Sequence, residues 1–483
     1  MSSFPSPLRP APLVQAFPPF HALLAAAQSQ AGALDPDGVL SLALPLAPLD
    51  PLAALPLLTA QTGDGFRFLW DGAPGLCIAA AGRCNGLELS GPRRFELAQR
   101  FAGATLGRLG TAPDTPALAR PRVLLAFGFF EAPLHPGESA VPGVQAVLPR
   151  WQLSRHGHHC WLRLQQSLGG GVTPRQVAEE LWAMGEALTV AAGSTEASPA
   201  EEPKQAPALV PSHAGDRWQE LYRAAAERGL DLVNSGELHK LVLAVRQELL
   251  LEQPADPLAV LAPLRRHQSG SCRFLWQRDH HAALLGASPE RLLTVRSGQL
   301  RSDALAGTAP NTAEAAADLL RSEKDRREHE LVVEAITTGL RQAGLEPRRP
   351  RHPRLARHGQ LVHLHTPITA ALKGQNPLSL AGGLHPTPAV AGLPRRQAMD
   401  WLRTLEPFER GHYAAPVGWI DSAGDTDLRV AIRSGTLRGR RLELTAGAGL
   451  VRGSQPEREL EEVALKLGVL QQQLRAEPAA ARS

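Results

Sequence analysis

Two short stretches of this 483-residue chain carry acids and lysines at helical spacing. Lys324 and Glu328 stand four residues apart within Ser322-Glu-Lys-Asp-Arg-Arg-Glu-His329, and Glu459, Glu462 and Lys466 follow one another at steps of three and four. Residues so spaced share a helix face. Carboxylate oxygens without His or Cys favour a hard cation of the Mg2+ kind, one that keeps waters and shares a ligand with its substrate, and the lysine beside them suits an anion. Taken alone, the first run equally fits a solvated, salt-bridged helix start. A third feature is Lys240, which opens the apolar run KLVLAVR. Alternation sets it on the face of Val242 and Ala244, whose modest size leaves room. A desolvated lysine gives up its proton more readily and can serve as a base near neutral pH, whereas a strand-end lysine can also snorkel to water. Glu290 follows Ser-Pro at the end of the apolar run LLGASPE, at the rim of a sheet, where it can act as a catalytic carboxyl or cap a turn.

The elements that must hold these groups can be read from periodicity. Leu331, Val332, Ala335, Ile336 and Leu340 recur at three- and four-residue steps, which predicts one amphipathic helix over 319–340. Leu460, Val463, Ala464 and Leu467 predict a second helix, with Glu459, Glu462 and Lys466 as the adjacent stripe. Ala304-Leu-Ala-Gly-Thr308 reads as a tight turn that lets backbone approach a ligand. Thr445-Ala-Gly-Ala-Gly-Leu-Val451 lacks the GxGxxG spacing of a dinucleotide loop. Helices are also expected over 174–190 and 218–234, and a strand over 240–246. Residues before about 190 otherwise alternate short apolar runs with Pro/Gly turns, as sheet strands do. His156-Gly-His-His-Cys160 has the look of a metal cluster but lies between two strand-like runs, and reads as a hairpin tip. Arg67-Phe-Leu-Trp70 recurs as Arg273-Phe-Leu-Trp276, each before a small-residue strand, which implies pseudo-symmetric halves. Fourteen residues beyond each Trp stand Cys84 and Glu290, so the first copy lacks the carboxylate. The expected division is an N-terminal scaffold half over 1–190, a flexible Pro/Ala/Glu/Ser-rich connection over 191–215, a catalytic half over 216–475 and a disordered tail over 476–483.

Composition narrows the class. A net charge of +4 from dispersed arginines gives no basic block for nucleic acid. The most apolar N-terminal stretch, Val39 to Leu58, is broken by Pro45, Pro48, Pro51 and Pro56, so no membrane helix is expected there. No secretory signal is evident, and four cysteines without CxxC spacing fit a reducing compartment; the expectation is a cytoplasmic protein.

Taken in order, these segments resemble the chorismate-utilising enzymes, a family that includes isochorismate, salicylate, anthranilate and aminodeoxychorismate synthases. The resemblance covers about 236–470. It rests on Lys240-Leu-Val-Leu-Ala, Gly286-Ala-Ser-Pro-Glu290, Leu305-Ala-Gly-Thr308, Ser322-Glu-Lys-Asp with Glu328-His329, His363-Leu-His-Thr-Pro367, Leu384-His-Pro-Thr-Pro-Ala389, Glu409-Arg-Gly with Tyr413 and Val417-Gly-Trp419, Ala431-Ile-Arg433-Ser, and Gly447-Ala-Gly449 with Glu462 and Lys466. It implies an α+β fold of two stacked, mainly antiparallel sheets flanked by helices, with the site in the cleft between them. It implies Glu328 and Glu462 as Mg2+ ligands with Glu459 nearby, Lys240 as the base that activates water for attack at C2 of chorismate, and Glu290 as the acid that protonates the departing C4 hydroxyl. Tyr413, Arg433, Lys466 and the backbone around Gly447 and Gly449 would seat the carboxylates. Gly307 and Thr308 would contact the ring side, and His363 would support the site. A base and an acid on opposite sides of the ring, with cations converging on a dianion, is also what the displacement requires.

Within the family, Ala306 departs from the lysine of aminodeoxychorismate synthases, and the His363 segment resembles the isochorismate and salicylate branch. No tryptophan-binding motif or glutaminase domain is evident, so water rather than ammonia is the expected nucleophile, with no glutaminase partner. The long N-terminal half resembles isochorismate synthases of menaquinone or phylloquinone biosynthesis, acting as a monomer or weak homodimer. Salicylate synthase, anthranilate synthase component I and a non-catalytic chorismate-binding regulator are the alternatives. One departure is that Val245 stands where the family usually has Arg, and Arg246 follows; the slip turns that arginine to the other strand face.

Overall fold

The computed structural model describes residues 18–35, 38–72, 75–135, 137, 140–197, 207–210 and 217–474. Among these residues the frame is a mainly antiparallel sheet of nineteen strands with helices packed outside it. Among the described pairings only that of Val39–Leu46 with Leu109–Gly110 is parallel. From Ala283–Ser288 the ladder passes through Cys272–Gln277, Arg67–Asp71, Cys77–Leu89, Val144–His156, Arg122–Phe127, Pro416–Asp421 and Thr426–Val430 to Arg291–Arg296, the strand that follows Ala283–Ser288 in the chain. The sheet thus curls over on itself around an aromatic layer of Phe66, Phe68, Trp70, Phe274, Trp276 and Trp419. Phe66 meets Trp276 edge-on at 5.2 Å, and each such buried ring contributes ~2–3 kcal/mol of apolar burial.

The repeated tetrapeptide lies at the seam of the two halves. Arg67–Asp71 and Cys272–Gln277 are antiparallel neighbours, with Phe68 opposite Trp276 and Trp70 opposite Phe274. Each copy is followed by a hairpin partner, Cys77–Leu89 and Ala283–Ser288, as the repeat implied.

Several expectations need adjusting. The helix expected over 319–340 is two helices, Ala313–Arg321 and Glu323–Gln342, broken at Ser322. Ser322 leaves helical geometry and its hydroxyl accepts from the Asp325 N–H, the usual reason a serine starts a helix. The 174–190 helix extends to Pro174–Ala197, so Ala191 to Ala197 continue a helix instead of opening a flexible connection; alanines favour this. Within the same stretch Leu209 bridges Leu251. Residues 198–206 and 211–215 of the connection and the tail 476–483 lie outside the described residues. The tight turn expected over Ala304–Thr308 lies inside the strand Gln299–Pro310, as a register shift between Ala306 and Thr308 with Gly307 at φ 71°, and Thr445 to Leu450 close the strand Arg441–Leu450. The histidine segment is a hairpin tip, with Gly157 at positive φ between Val144–His156 and His159–Ser167. Among the described residues no helix is long and apolar enough to cross a membrane.

Candidate active site

One cavity of about 60 Å³ is lined by Glu290, Gly307, Thr308, Glu328, His363, Tyr413, Arg433, Gly447, Gly449, Glu462 and Lys466. Lys240 and Glu459 complete the expected set from just behind its wall, each 1% exposed. Segments spread over more than two hundred residues of sequence are gathered by the sheet.

Lys240 begins the strand Lys240–Leu250, which pairs with Arg441–Leu450. In that register Gly449 faces Val242, and a Cβ on Gly449 would stand 2.6 Å from Oε1 of Glu328 and 3.0 Å from Cε of Lys240. A Cβ on Gly447 would meet the Leu243 carbonyl at 2.5 Å. Both glycines are therefore required by close approach. Their spacing brings the lysine strand, the glycine strand and the Glu328 helix together.

The charges fall into three lysine–carboxylate pairs. Lys240 Nζ donates to Glu328 Oε1 at 2.8 Å, Lys324 Nζ to Glu459 Oε1 at 2.6 Å, and Lys466 Nζ lies 2.7 Å from Glu462 Oε1 while donating to the Gly447 carbonyl. Burial works to raise the Glu328 carboxyl, but Lys240 and Lys324 outweigh it and hold the group below its ordinary range. For Glu459, burial and then the Glu462 charge push the carboxyl up to about 7. Lys324 was recognised as part of the charged run but not as a site residue; the structure seats it inside the cluster. Asp325, from the same run, is also raised by burial, with Glu328 and Glu462 adding to the effect.

Glu290 is placed by a knot of backbone bonds. Its carbonyl accepts from Val430 N–H, and Ser288 Oγ accepts from its own N–H while donating to the Val430 carbonyl. The side chain is 4% exposed, and burial pushes its carboxyl up to about 7 despite the opposing pull of Lys240 and Lys466. It is thus poised to give up a proton near neutral pH.

Arg433, in the left-handed region at φ 49°, projects into the cavity with no carboxylate partner among the described residues. Burial lowers its guanidinium to about 9. It rests against His363 Nε2. Burial, then Arg433, keep His363 well below its ordinary range, so the ring is neutral and Nε2 can accept. Its Nδ1 meets the Gly307 carbonyl at 3.1 Å and Thr308 Oγ1 at 3.2 Å. His363 therefore orients the arginine, and Gly307 and Thr308 orient the histidine.

Two further groups had no clear sequence signal. Tyr222, on the helix Arg217–Asn234, is fully buried, and its hydroxyl has no hydrogen-bond partner among the described residues. Burial raises it well above its ordinary value, with Glu459, Glu462, Tyr413 and Glu328 all adding to the effect. Second, Glu406 and Arg410 form a buried pair whose members bond to the Lys240 strand, through Ala244 N–H and the Val242 carbonyl. Arg246, the arginine displaced by one residue, does not reach Lys240; it donates to the Glu409 carbonyl and stacks over Phe408 at 4.8 Å.

The oxygen-only donor set suits a hard cation in kind, and the crowding of Glu459 against Glu462 is what a divalent ion would relieve. Among the described residues, however, no three His, Cys, Asp or Glu side chains stand close enough together to hold a metal ion, because each carboxylate turns to a lysine.

The chain is similar to several known proteins. A family profile described as chorismate binding enzyme matches residues 25–475. The salicylate biosynthesis isochorismate synthase of Pseudomonas aeruginosa is 41% identical over 262 residues, 53% of this chain and 55% of that protein. The isochorismate synthase MenF of Bacillus subtilis is 36% identical over 250 residues, 50% of this chain and 53% of that protein. The chain thus spans little more than half the length of these relatives. Among solved structures, the menaquinone-specific isochorismate synthase MenF of Escherichia coli matches with a TM-score of 0.72 at 25% identity, over 94% of this chain and 100% of that one. Anthranilate synthase component I of Streptococcus pneumoniae, at 19% identity, 82% and 92% coverage and a TM-score of 0.66, shares the fold.

Proposed function

This chain belongs to the chorismate-binding enzyme family, and from that premise we propose that it is an isochorismate synthase, converting chorismate to isochorismate with Mg2+. The observation that carries the reading is the buried Glu290, whose carboxyl burial pushes up to about 7, in a cavity whose other walls present Arg433 and Lys466.

In this mechanism Lys240 takes a proton from water, whose oxygen bonds to C2 of the ring. The ring double bonds shift, the C4–O bond breaks, and Glu290 gives its proton to the departing hydroxyl, which leaves as water. Solvent then returns a proton to Glu290 and removes one from Lys240. Arg433, Tyr413 and Lys466 hold the two carboxylates, and Gly307 and Thr308 contact the ring side. Mg2+ on Glu328 and Glu462, with Glu459 beside them, would neutralise those carboxylates and bind the ring carboxylate.

The N-terminal half, through residue 190, serves as scaffold to a catalytic half over 216–475. Its Phe129 accepts from His385 and donates to Gly411, bracing the segment that ends in Tyr413. A menaquinone or phylloquinone pathway in the cytoplasm is the proposed setting, without a glutaminase and as a monomer or weak dimer. The test is an incubation with chorismate and Mg2+ in the absence of ammonia. Isochorismate without pyruvate is the expected product. Salicylate with pyruvate would move the protein to the lyase branch, and dependence on ammonium would make nitrogen the nucleophile.

A further inference from the structure

A second cleft, of about 650 Å³, lies along the helix Glu323–Gln342 and is walled on its other side by 349–353. Arg326 and Glu330, two residues either side of Glu328, stand nearly half a turn away from it, so this cleft is on the side of the helix turned from the catalytic cavity. The function proposed above makes no use of it, although Arg326 and Arg327 belong to the most charged run of the chain.

Four guanidiniums, of Arg326, Arg327, Arg349 and Arg351, face only two carboxylates there, Glu323 and Glu330. Arg349 is anchored on Glu330 at 2.6 Å. Among the described residues the guanidiniums of Arg326, Arg327 and Arg351 have neither a hydrogen-bond nor an ion-pair partner. Pro350 and Pro353 flank Arg351 and restrict the backbone that carries it, so this wall is stiff. The floor supplies an independent observation. His329 is 1% exposed and lines the cleft; one ring nitrogen, Nε2, lies 2.8 Å from Thr366 Oγ1, and the other, Nδ1, has no partner. A buried polar atom left unpaired beneath a surplus of cations is unfavourable unless a ligand meets both.

We propose that this cleft binds a small molecule carrying two phosphate groups. Guanidinium forks match phosphate oxygens two at a time, and two arginines on each wall suit an anion that spans between them. Such a ligand touches the helix that carries Glu328 without entering the catalytic cavity.

Calorimetric titration of the intact protein with inorganic diphosphate, free of Mg2+ and at physiological ionic strength, tests this. The expected result is saturable binding at one site per chain, weakened about tenfold or more in the double variant Arg327→Ala/Arg351→Ala. Both arginines are exposed, so the variant should keep its fold; if it melts early, Arg351→Gln alone must show a loss of about threefold. Arg433→Ala should bind diphosphate as the parent does. The proposal is overturned if binding is absent, if it spreads over several weak sites that vanish with added salt, or if the arginine variants leave it unchanged. Loss of binding in Arg433→Ala would equally overturn it, because the anion would then sit in the catalytic cavity.

Discussion

Lys240 Nζ stands 2.8 Å from Oε1 of Glu328, with both groups buried. The proposed base and a proposed cation ligand therefore neutralise each other in this structure. Removing one member of a buried ion pair strands the other charge, at a cost of ~3–5 kcal/mol. This single contact connects metal binding, proton transfer and stability.

Lys240→Ala should abolish turnover and destabilise the metal-free protein by ~3 kcal/mol, since Glu328 is left without its partner. Added Mg2+ should then raise the melting temperature of the variant more than that of the parent, because the ion has no lysine to displace. Calorimetric melts with and without Mg2+ check this. Equal shifts would show that Lys240 and the ion do not compete for Glu328.

Glu290 gives a pH signature. Its carboxyl is raised from 4.5 to about 7 by burial, so the folded state binds its proton more tightly than the unfolded chain does. The stability contribution is complete below the unfolded value and declines as pH rises from there to about 7, where ionising the buried group becomes a cost. Glu290→Gln lacks this loss. Its stability relative to the parent should therefore climb between pH 5 and pH 8, by about 3 kcal/mol on the order of magnitude. Parallel stability curves across that range would remove the basis for a protonated Glu290, and with it the acid role.

Arg433 should not be replaceable by lysine. Its guanidinium is oriented by His363, and a fork can hold a carboxylate while pressed against the ring, which an ammonium cannot. Arg433→Lys is expected to raise the KM for chorismate about tenfold or more, and His363→Ala to raise it by a smaller factor, with melting temperatures little changed. Steady-state kinetics of the two variants would show it. An unaltered KM in both would mean that Arg433 does not seat the substrate.

Tyr222 carries a buried hydroxyl without a partner among the described residues. An unsatisfied buried donor costs ~1–3 kcal/mol, so Tyr222→Phe should leave the metal-free protein as stable as the parent or more so. A denaturant melt that shows a clear loss would reveal a bond that the hydroxyl makes in solution.

Much of this site was legible in the sequence because its chemistry is local. The helix acids and the strand lysine announce themselves by spacing, the family resemblance supplies the others, and eleven of the thirteen residues singled out line one cavity. Two of the three lysine–carboxylate pairs were not legible. Their partners lie far apart in sequence, 88 residues for Lys240 and Glu328 and 135 for Lys324 and Glu459, and only the sheet register brings them together. The split at Ser322 was hidden because a charged run, which suits a helix surface on either side, spans it, and a capping hydroxyl decides the boundary. The strand status of Gly447 and Gly449 was hidden for the opposite reason. Glycine suggests a turn, whereas here the missing Cβ makes room for Glu328 and Lys240.

The most direct measurement is the fate of the water oxygen. The protein would be incubated with chorismate and Mg2+ in 18O-labelled water without ammonia, and the product analysed by mass spectrometry. The mechanism proposed here requires isochorismate with one 18O at the C2 hydroxyl, formed by the parent and not by Lys240→Ala. Unlabelled isochorismate, or the same labelled product from Lys240→Ala, would contradict it.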